Sequence, residues 1–306
     1  MHNPYRIIQK RQDFGLSLSN IGAPDQLSIV LLDSADSDLL DKTIEWYLEN
    51  LNFNIHVITI EERIEENNLS EKYPDVTFIV FKNLTTIGAM LNAVANVTYS
   101  SYILVTRTDT QLVSFDGELL YAAMGKGIKP SIITPVLFNC DMEIMSSLRR
   151  PNLLNRDIDP QAEAPIVDDS ILQRNFYPIF VIGLYERALF QRMRGFDEEI
   201  ISDYWQLLDF GIRANLFGNP VYTTAALAFR FYEKHSIIED NMNCEGMERC
   251  YTKALSIRRI NGRNIIQKWR PYVDKELYRN EIKTKQVVIQ KTDFFTLMEN
   301  WDEKVE

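Results

Sequence analysis

The first half of the chain alternates short apolar runs with segments whose apolar residues recur at helical spacing. "LSIVLLD" (27–33), rich in β-branched residues, predicts a strand. In "SDLLDKTIEWYLENL" (37–51), Leu40, Ile44, Tyr47, Leu48 and Leu51 share a helical face, with Ser37 or Asp38 as the cap. "FNIHVITI" (53–60) and "VTFIVFK" (76–82) predict two more strands, "TTIGAMLNAVANV" (85–97) a helix opening on threonine, and "SYILVT" (101–106) another strand. Such alternation implies an α/β class: a mostly parallel, Rossmann-like sheet with helices on both faces.

The second half is less regular. "PSIITPVLF" (130–138) reads as a strand, while residues 146–169 mix Pro, Asn and Asp without period and read as a loop or insertion. "PIFVIGLYERALFQRM" (178–193) runs from a strand into a helix, and "DYWQLLDFGIRANLFG" (203–218) is a helix ending at Gly218. From residue 240 the pattern is polar and helical, in "GMERCYTKALSIRRI" (246–260) and "PYVDKELYRNEIKTKQVV" (271–288). The expected division is an N-terminal extension (1–26), an α/β domain (27–239) and a helical C-terminal extension (240–306).

Composition narrows the class. With 306 residues, 45% hydrophobic and 25% charged, the chain has the make-up of a soluble globular protein. A net charge of -10 argues against a general nucleic-acid surface, which needs basic patches to displace counterions. The three cysteines, Cys140, Cys244 and Cys250, form no CxxC pattern, so neither a disulfide framework nor a zinc knuckle is indicated, and a reducing, cytoplasmic setting fits. "MHNPYRIIQKRQDFG" lacks an apolar core after its basic residues, and no apolar run approaches the ~18 residues of a membrane span. The expectation is a protein without a transmembrane segment.

The candidate chemistry lies in the order of the motifs. Along residues 27–235 stand "SIVLLDSADSDLL", "HVITIEE", "NLTTIGAMLNAV", "YILVTRTDTQL", "RGFDEE" and "DYWQLLDFGIRANLFGNPVY". This series resembles the inverting glycosyltransferases of the GT-A fold, the family-2-like nucleotide-sugar transferases. The resemblance implies transfer of a sugar from a UDP- or GDP-sugar to a hydroxyl on a glycan, lipid-linked or protein acceptor, in glycan or polysaccharide biosynthesis. It also implies a divalent ion, Mn2+ or Mg2+, held by carboxylates to offset the charge developing on the diphosphate.

Carried over residue by residue, the resemblance is incomplete. Asp109 matches the second acid of the family's Asp-x-Asp, but Arg107 stands at the first, with Thr108 between them. A guanidinium cannot ligate a metal, although it pairs bidentately with phosphate; the alternative is a surface arginine beside a strand end. His235, in "FYEKHS", stands where many relatives complete the metal site, and otherwise is a surface or packing residue. Asp33 and Glu61 match positions near the nucleotide base or ribose, or are ordinary solvated acids. Asn83, Gly88 and Asn92 lie in the segment that resembles the family's helix opening, where Gly88 also serves close helix–sheet packing. "GFDEE" (195–199) is the most specific local match, and its work is structural first.

The catalytic base of the family matches Leu207, six residues before Arg213, and leucine accepts no proton. Asp203, one helical turn earlier, shares its face; Asp209 lies roughly 200° around the helix and forms an i,i+4 pair with Arg213. Both aspartates stand as candidates. Tyr204 and Trp205 read either as a platform for an acceptor sugar or as core. Loss of one metal-site acid together with the usual base leaves a second reading open, an inactive GT-A-like protein that binds nucleotide sugars or serves as a scaffold, as a homo-oligomer or paired with an active relative. A nucleotidyltransferase fits less well, because "LLDSADSDLL" is acidic where a glycine-rich phosphate loop would lie.

Overall fold

The computed structural model describes residues 4–9, 26–34, 39–66, 68–125 and 129–302. Ser37 and Asp38, the expected cap of the first helix, lie outside them. Among the described residues the chain runs β1 (Tyr5–Ile8), β2 (Leu27–Leu32), α1 (Leu40–Asn50), β3 (Asn54–Ile60), α2 (Glu61–Glu66), α3 (Leu69–Lys72), β4 (Thr77–Phe81), α4 (Ile87–Val97), β5 (Tyr102–Arg107), β6 (Thr110–Phe115), α5 (Gly117–Gly125) and β7 (Ile132–Phe138). The region read as a loop or insertion holds short strands: β8 (Leu148–Arg150) pairs with β11 (Gln161–Glu163), and β9 (Leu153–Leu154) with β10 (Asp157–Ile158). Then come β12 (Gln173–Asn175), β13 (Gly183–Glu186), α6 (Arg187–Arg192), α7 (Asp203–Leu216), β14 (Val221–Phe231) and α8 (Met247–Leu255).

One sheet organises the molecule, in the order β1-β4-β3-β2-β5-β13-β7-β14-β12, with β6 also paired to β14. β4, β3, β2 and β5 are mutually parallel, as are β7 and β14, while β13 runs antiparallel between β5 and β7. Successive side chains of a strand point to opposite faces, and β2 shows the result. Val30 and Leu32 join the core beneath α4 and α7, whereas Ile29 and Leu31 pack with Ile44 and Tyr47 of α1. Both faces are covered, which is why the strand reads as a continuous apolar run.

The C-terminal region is helical, as its pattern suggests, at Met247–Leu255, over residues 275–289 and at Phe294–Glu299, with one departure. After α8 the chain forms a hairpin, β15 (Ile257–Ile260) and β16 (Arg263–Ile266), turning at Asn261 and Gly262 with φ of 50° and 76°. An Asn-Gly pair with left-handed φ at both positions matches the right-handed twist of the flanking strands, so "INGR" was the hairpin signal inside a segment read as helix. Phe294, Leu297 and Trp301 from the chain's end share the core of α7.

Candidate functional site

The carboxyl ends of the parallel strands face a cleft of about 690 Å³, the position where open α/β sheets hold ligands. Its walls are the starts of two helices: Leu84 to Ile87 before and in α4, and Ser202, Asp203, Tyr204 and Leu207 of α7. Arg107, Phe180 and the segment around Glu239 complete it. Glu239 is held by Arg149 at 2.6 Å and by the Tyr177 hydroxyl at 2.9 Å. Phe180 and Val181 carry left-handed φ of 54° and 63°. Such backbone costs on the order of 1–3 kcal/mol per residue and persists where the surroundings enforce it. Here it sets the Phe180 ring 5.8 Å from both the Arg107 guanidinium and the Lys234 ammonium.

The Arg-Thr-Asp tip is a built structure. Thr108 is fully buried; its amide donates to the Leu32 carbonyl (3.1 Å), its hydroxyl accepts from the Ser34 amide (3.0 Å), and its carbonyl accepts from Thr43 of α1 (3.2 Å). That anchoring projects Arg107 and Asp109 side by side. Arg107 donates from Nε and Nη2 to the two oxygens of Asp109, at 2.8 and 2.9 Å, and Lys234 stands 3.5 Å away. Partial burial pushes the Asp109 carboxyl up, but the two cations outweigh it and hold it below the ordinary aspartate value. A divalent ion at Asp109 would have to displace a bidentate guanidinium and sit beside two positive charges. These residues do not fit a metal, and of the three only Arg107 lines the cleft.

His235 is not drawn to Asp109. Its ring lies against Cys140 and Asp141, and among the described residues the metal-compatible group that includes it comprises these three.

Asp203 opens the first turn of α7 at the cleft, its Oδ1 3.5 Å from the Ile87 amide. Desolvation by the surrounding protein raises its carboxyl above the ordinary value, opposed by that amide and by the charge of Arg107. Leu207 lines the same cleft one turn on. Tyr204 lines it too, whereas Trp205 is buried.

Asp209 takes the other side of the helix. Its side chain is 0% exposed, 2.8 Å from Arg213 and 3.0 Å from Lys253, and it does not reach the cleft. Lys253 also meets Asp197 of the "GFDEE" motif, at 2.5 Å, and Arg249 meets Asp197 at 2.9 Å. Arg249 and Lys253 lie four residues apart, on one face of α8, a spacing visible in "MERCYTK".

Burial alone would raise the Asp197 carboxyl; Lys253 and Arg249 overcome it and hold it down to about 2. Because the folded value lies below the unfolded one, this ion pair stabilises the fold above about pH 4 and is lost as pH falls from about 4 to 2, by about 2 kcal/mol. Urea unfolding across that range is expected to show a steeper loss for the native protein than for Asp197→Asn.

The remaining sequence candidates do not line the cleft. Asp33 is held by Thr59 (2.7 Å) and Arg63 (3.3 Å), and Glu61 pairs with Arg6 (3.1 Å). Asn83 is exposed after β4. Asn92 clamps the "GFDEE" loop, donating to the Phe196 carbonyl (2.9 Å) and Glu198 (2.8 Å) and accepting from the Phe196 amide (3.0 Å). The Gly88 amide donates to Gln206 (2.8 Å), and a Cβ there would lie 2.5 Å from both Gln206 and Phe196, so the close α4–α7 approach requires glycine.

This architecture is the GT-A glycosyltransferase fold. Its overlap with a crystal structure of GalNAc-T7 with UDP, GalNAc and Mn2+ covers 92% of this chain and 55% of that one, at a TM-score of 0.56 and 10% identity. The chain therefore spans about half the length of that neighbour. Two S. aureus TarS structures overlap more loosely, at TM-scores of 0.49 and 0.44, with 11% and 15% identity, over 75% and 67% of this chain and 40% and 60% of theirs. No protein-family model and no curated protein sequence matches the chain. Among the described residues, no helix is long and apolar enough to cross a membrane.

Proposed function

We propose that the protein transfers a sugar from a nucleoside-diphosphate donor to a hydroxyl acceptor with inversion. Arg107 faces the donor's phosphates, and Asp203 is the base. The observation that carries this is the placing of a fixed cation, Arg107, and an ionisable carboxylate, Asp203, on one cleft at the carboxyl ends of a GT-A sheet. The acceptor O–H proton passes to Asp203 as the oxygen bonds to the anomeric carbon. The carbon–oxygen bond to the diphosphate breaks with its electron pair on the departing nucleotide, whose new charge meets Arg107. GalNAc-T7, which shares the fold, holds UDP and GalNAc, and this supports a UDP-type donor.

A second reading, a non-catalytic nucleotide-sugar-binding protein, is favoured by Leu207 at the matched base position and by the commitment of Asp109 to Arg107. Titration with UDP and GDP, in EDTA and then in Mn2+, followed by hydrolysis and transfer assays with their sugars, separates the two. We expect a nucleoside diphosphate to bind in EDTA, and Arg107→Ala to weaken it by about tenfold to a hundredfold, since a charged hydrogen bond is lost and the Asp109 charge is left with Lys234 alone to offset it. Absence of binding under every condition overturns the donor site. Binding without turnover of any sugar nucleotide selects the second reading.

A further inference from the structure

At the carboxyl ends of β7 and β14, among residues that do not line the cleft, three ligating side chains converge for which the proposed transfer has no use. We propose that Cys140, Asp141 and His235 form a binding site for a transition-metal ion of the Zn2+ type, with the fourth position open to water. Their donor atoms already stand at chelating distances: Cys140 Sγ to His235 Nδ1 is 3.2 Å, His235 Nδ1 to Asp141 Oδ2 is 3.1 Å, and Cys140 Sγ to Asp141 Oδ2 is 3.8 Å. A tetrahedral ion with metal–sulfur bonds of about 2.3 Å and metal–nitrogen and metal–oxygen bonds of about 2.0–2.2 Å separates its ligands by roughly 3.3–3.6 Å. The three observed spacings bracket those edges.

The same atoms argue against a nucleophile–base–acid relay. In a relay the thiol and the carboxylate engage opposite ring nitrogens, so that a proton enters at one and the other is oriented. Here sulfur lies 3.2 Å from Nδ1 and 3.6 Å from Nε2, and the carboxylate oxygen also meets Nδ1, so thiol and carboxylate do not take opposite ring nitrogens. A thiolate and an imidazole also select a borderline ion over Mg2+ or Ca2+, which take oxygen ligands.

The two loops are held in place independently of the three ligating groups. The Cys140 amide donates to the Lys234 carbonyl at 3.0 Å, and Asn139 Nδ2 to the His235 carbonyl at 3.4 Å. The Asn139 side-chain oxygen accepts from the amides of Asp141 (2.9 Å) and Glu143 (2.8 Å). An ion here would clamp the loop after β7 to the loop after β14, and so fix the backbone from which Lys234 reaches Asp109. The site stands apart from the donor cleft in its ligands, and its test does not depend on the proposed transfer.

The full chain, stripped of metal, would be titrated with Co2+ and then Zn2+. We expect about one equivalent of Co2+ to bind with a thiolate charge-transfer band and tetrahedral visible bands, displaced by Zn2+ and not by Mg2+. Cys140→Ser should remove the thiolate band, while His235→Ala and Asp141→Asn should each weaken Zn2+ by about tenfold or more. Cys244→Ser should change neither. His235 and Asp141 are largely exposed, at 74% and 63%, so the variants should melt like the native protein in the absence of metal. Failure to bind Co2+ or Zn2+ stoichiometrically, or a thiolate band that survives in Cys140→Ser, overturns the proposal.

Discussion

Replacing Asp203 with asparagine is expected to lower glycosyl transfer by about 10²–10⁴-fold, the usual contribution of a positioned general base, and to leave nucleotide binding nearly unchanged. Asparagine keeps the shape and the contact with the Ile87 amide but cannot take the acceptor's proton. The surrounding protein raises the Asp203 carboxyl, so activity should fall on the acid side at a pH above the ordinary aspartate range. That limb should be absent from the residual activity of the variant. Steady-state kinetics across pH, with UDP affinity measured in parallel, checks both. Undiminished transfer by Asp203→Asn would place the base elsewhere, and Leu207→Asp would then show whether the matched position can still serve.

Asp209→Ala should act on stability and not on the cleft. The carboxylate has no exposure and stands between Arg213 and Lys253, themselves nearly buried. Removing one partner of a buried ion pair leaves uncompensated charge in low dielectric, at a cost of about 3–5 kcal/mol. Denaturant unfolding should show that loss, carried by Arg213, since Lys253 keeps Asp197 at 2.5 Å. A loss below about 1 kcal/mol would mean that water reaches the cations once the acid is gone. Arg213 keeps the carbonyls of Met193 and Gly195 at 2.7 Å in either case, so the helix should remain seated.

These two aspartates show what was legible beforehand. Helical periodicity alone puts Asp203 on the face of Leu207 and Asp209 on another, and the structure keeps that separation, one at the cleft and the other in the core. The identity of the partners of Asp209 was not legible. Lys253 lies 44 positions along the chain, and no local pattern tells which distant cation a buried acid will meet. The hairpin at Asn261 and Gly262 is written in the Asn-Gly pair, but the apolar spacing before it also suits a helix.

The rest divides by the range of the forces involved. The strands β2 to β5, the threonine-capped α4 and the fourteen residues of α7 follow from side-chain periodicity and capping, which act within a few residues and are written in the chain itself. The antiparallel insertion of β13 was decided only by tertiary structure, since an apolar run packs equally well in either direction until its neighbours are chosen. The same holds at the site. The sequence by itself determined that an arginine and an aspartate, two residues apart, would end β5. Only the folded chain, by burying Thr108 and bringing Lys234 alongside, decided that they would close on each other, because a charge pair forms where the surrounding packing removes the competing water.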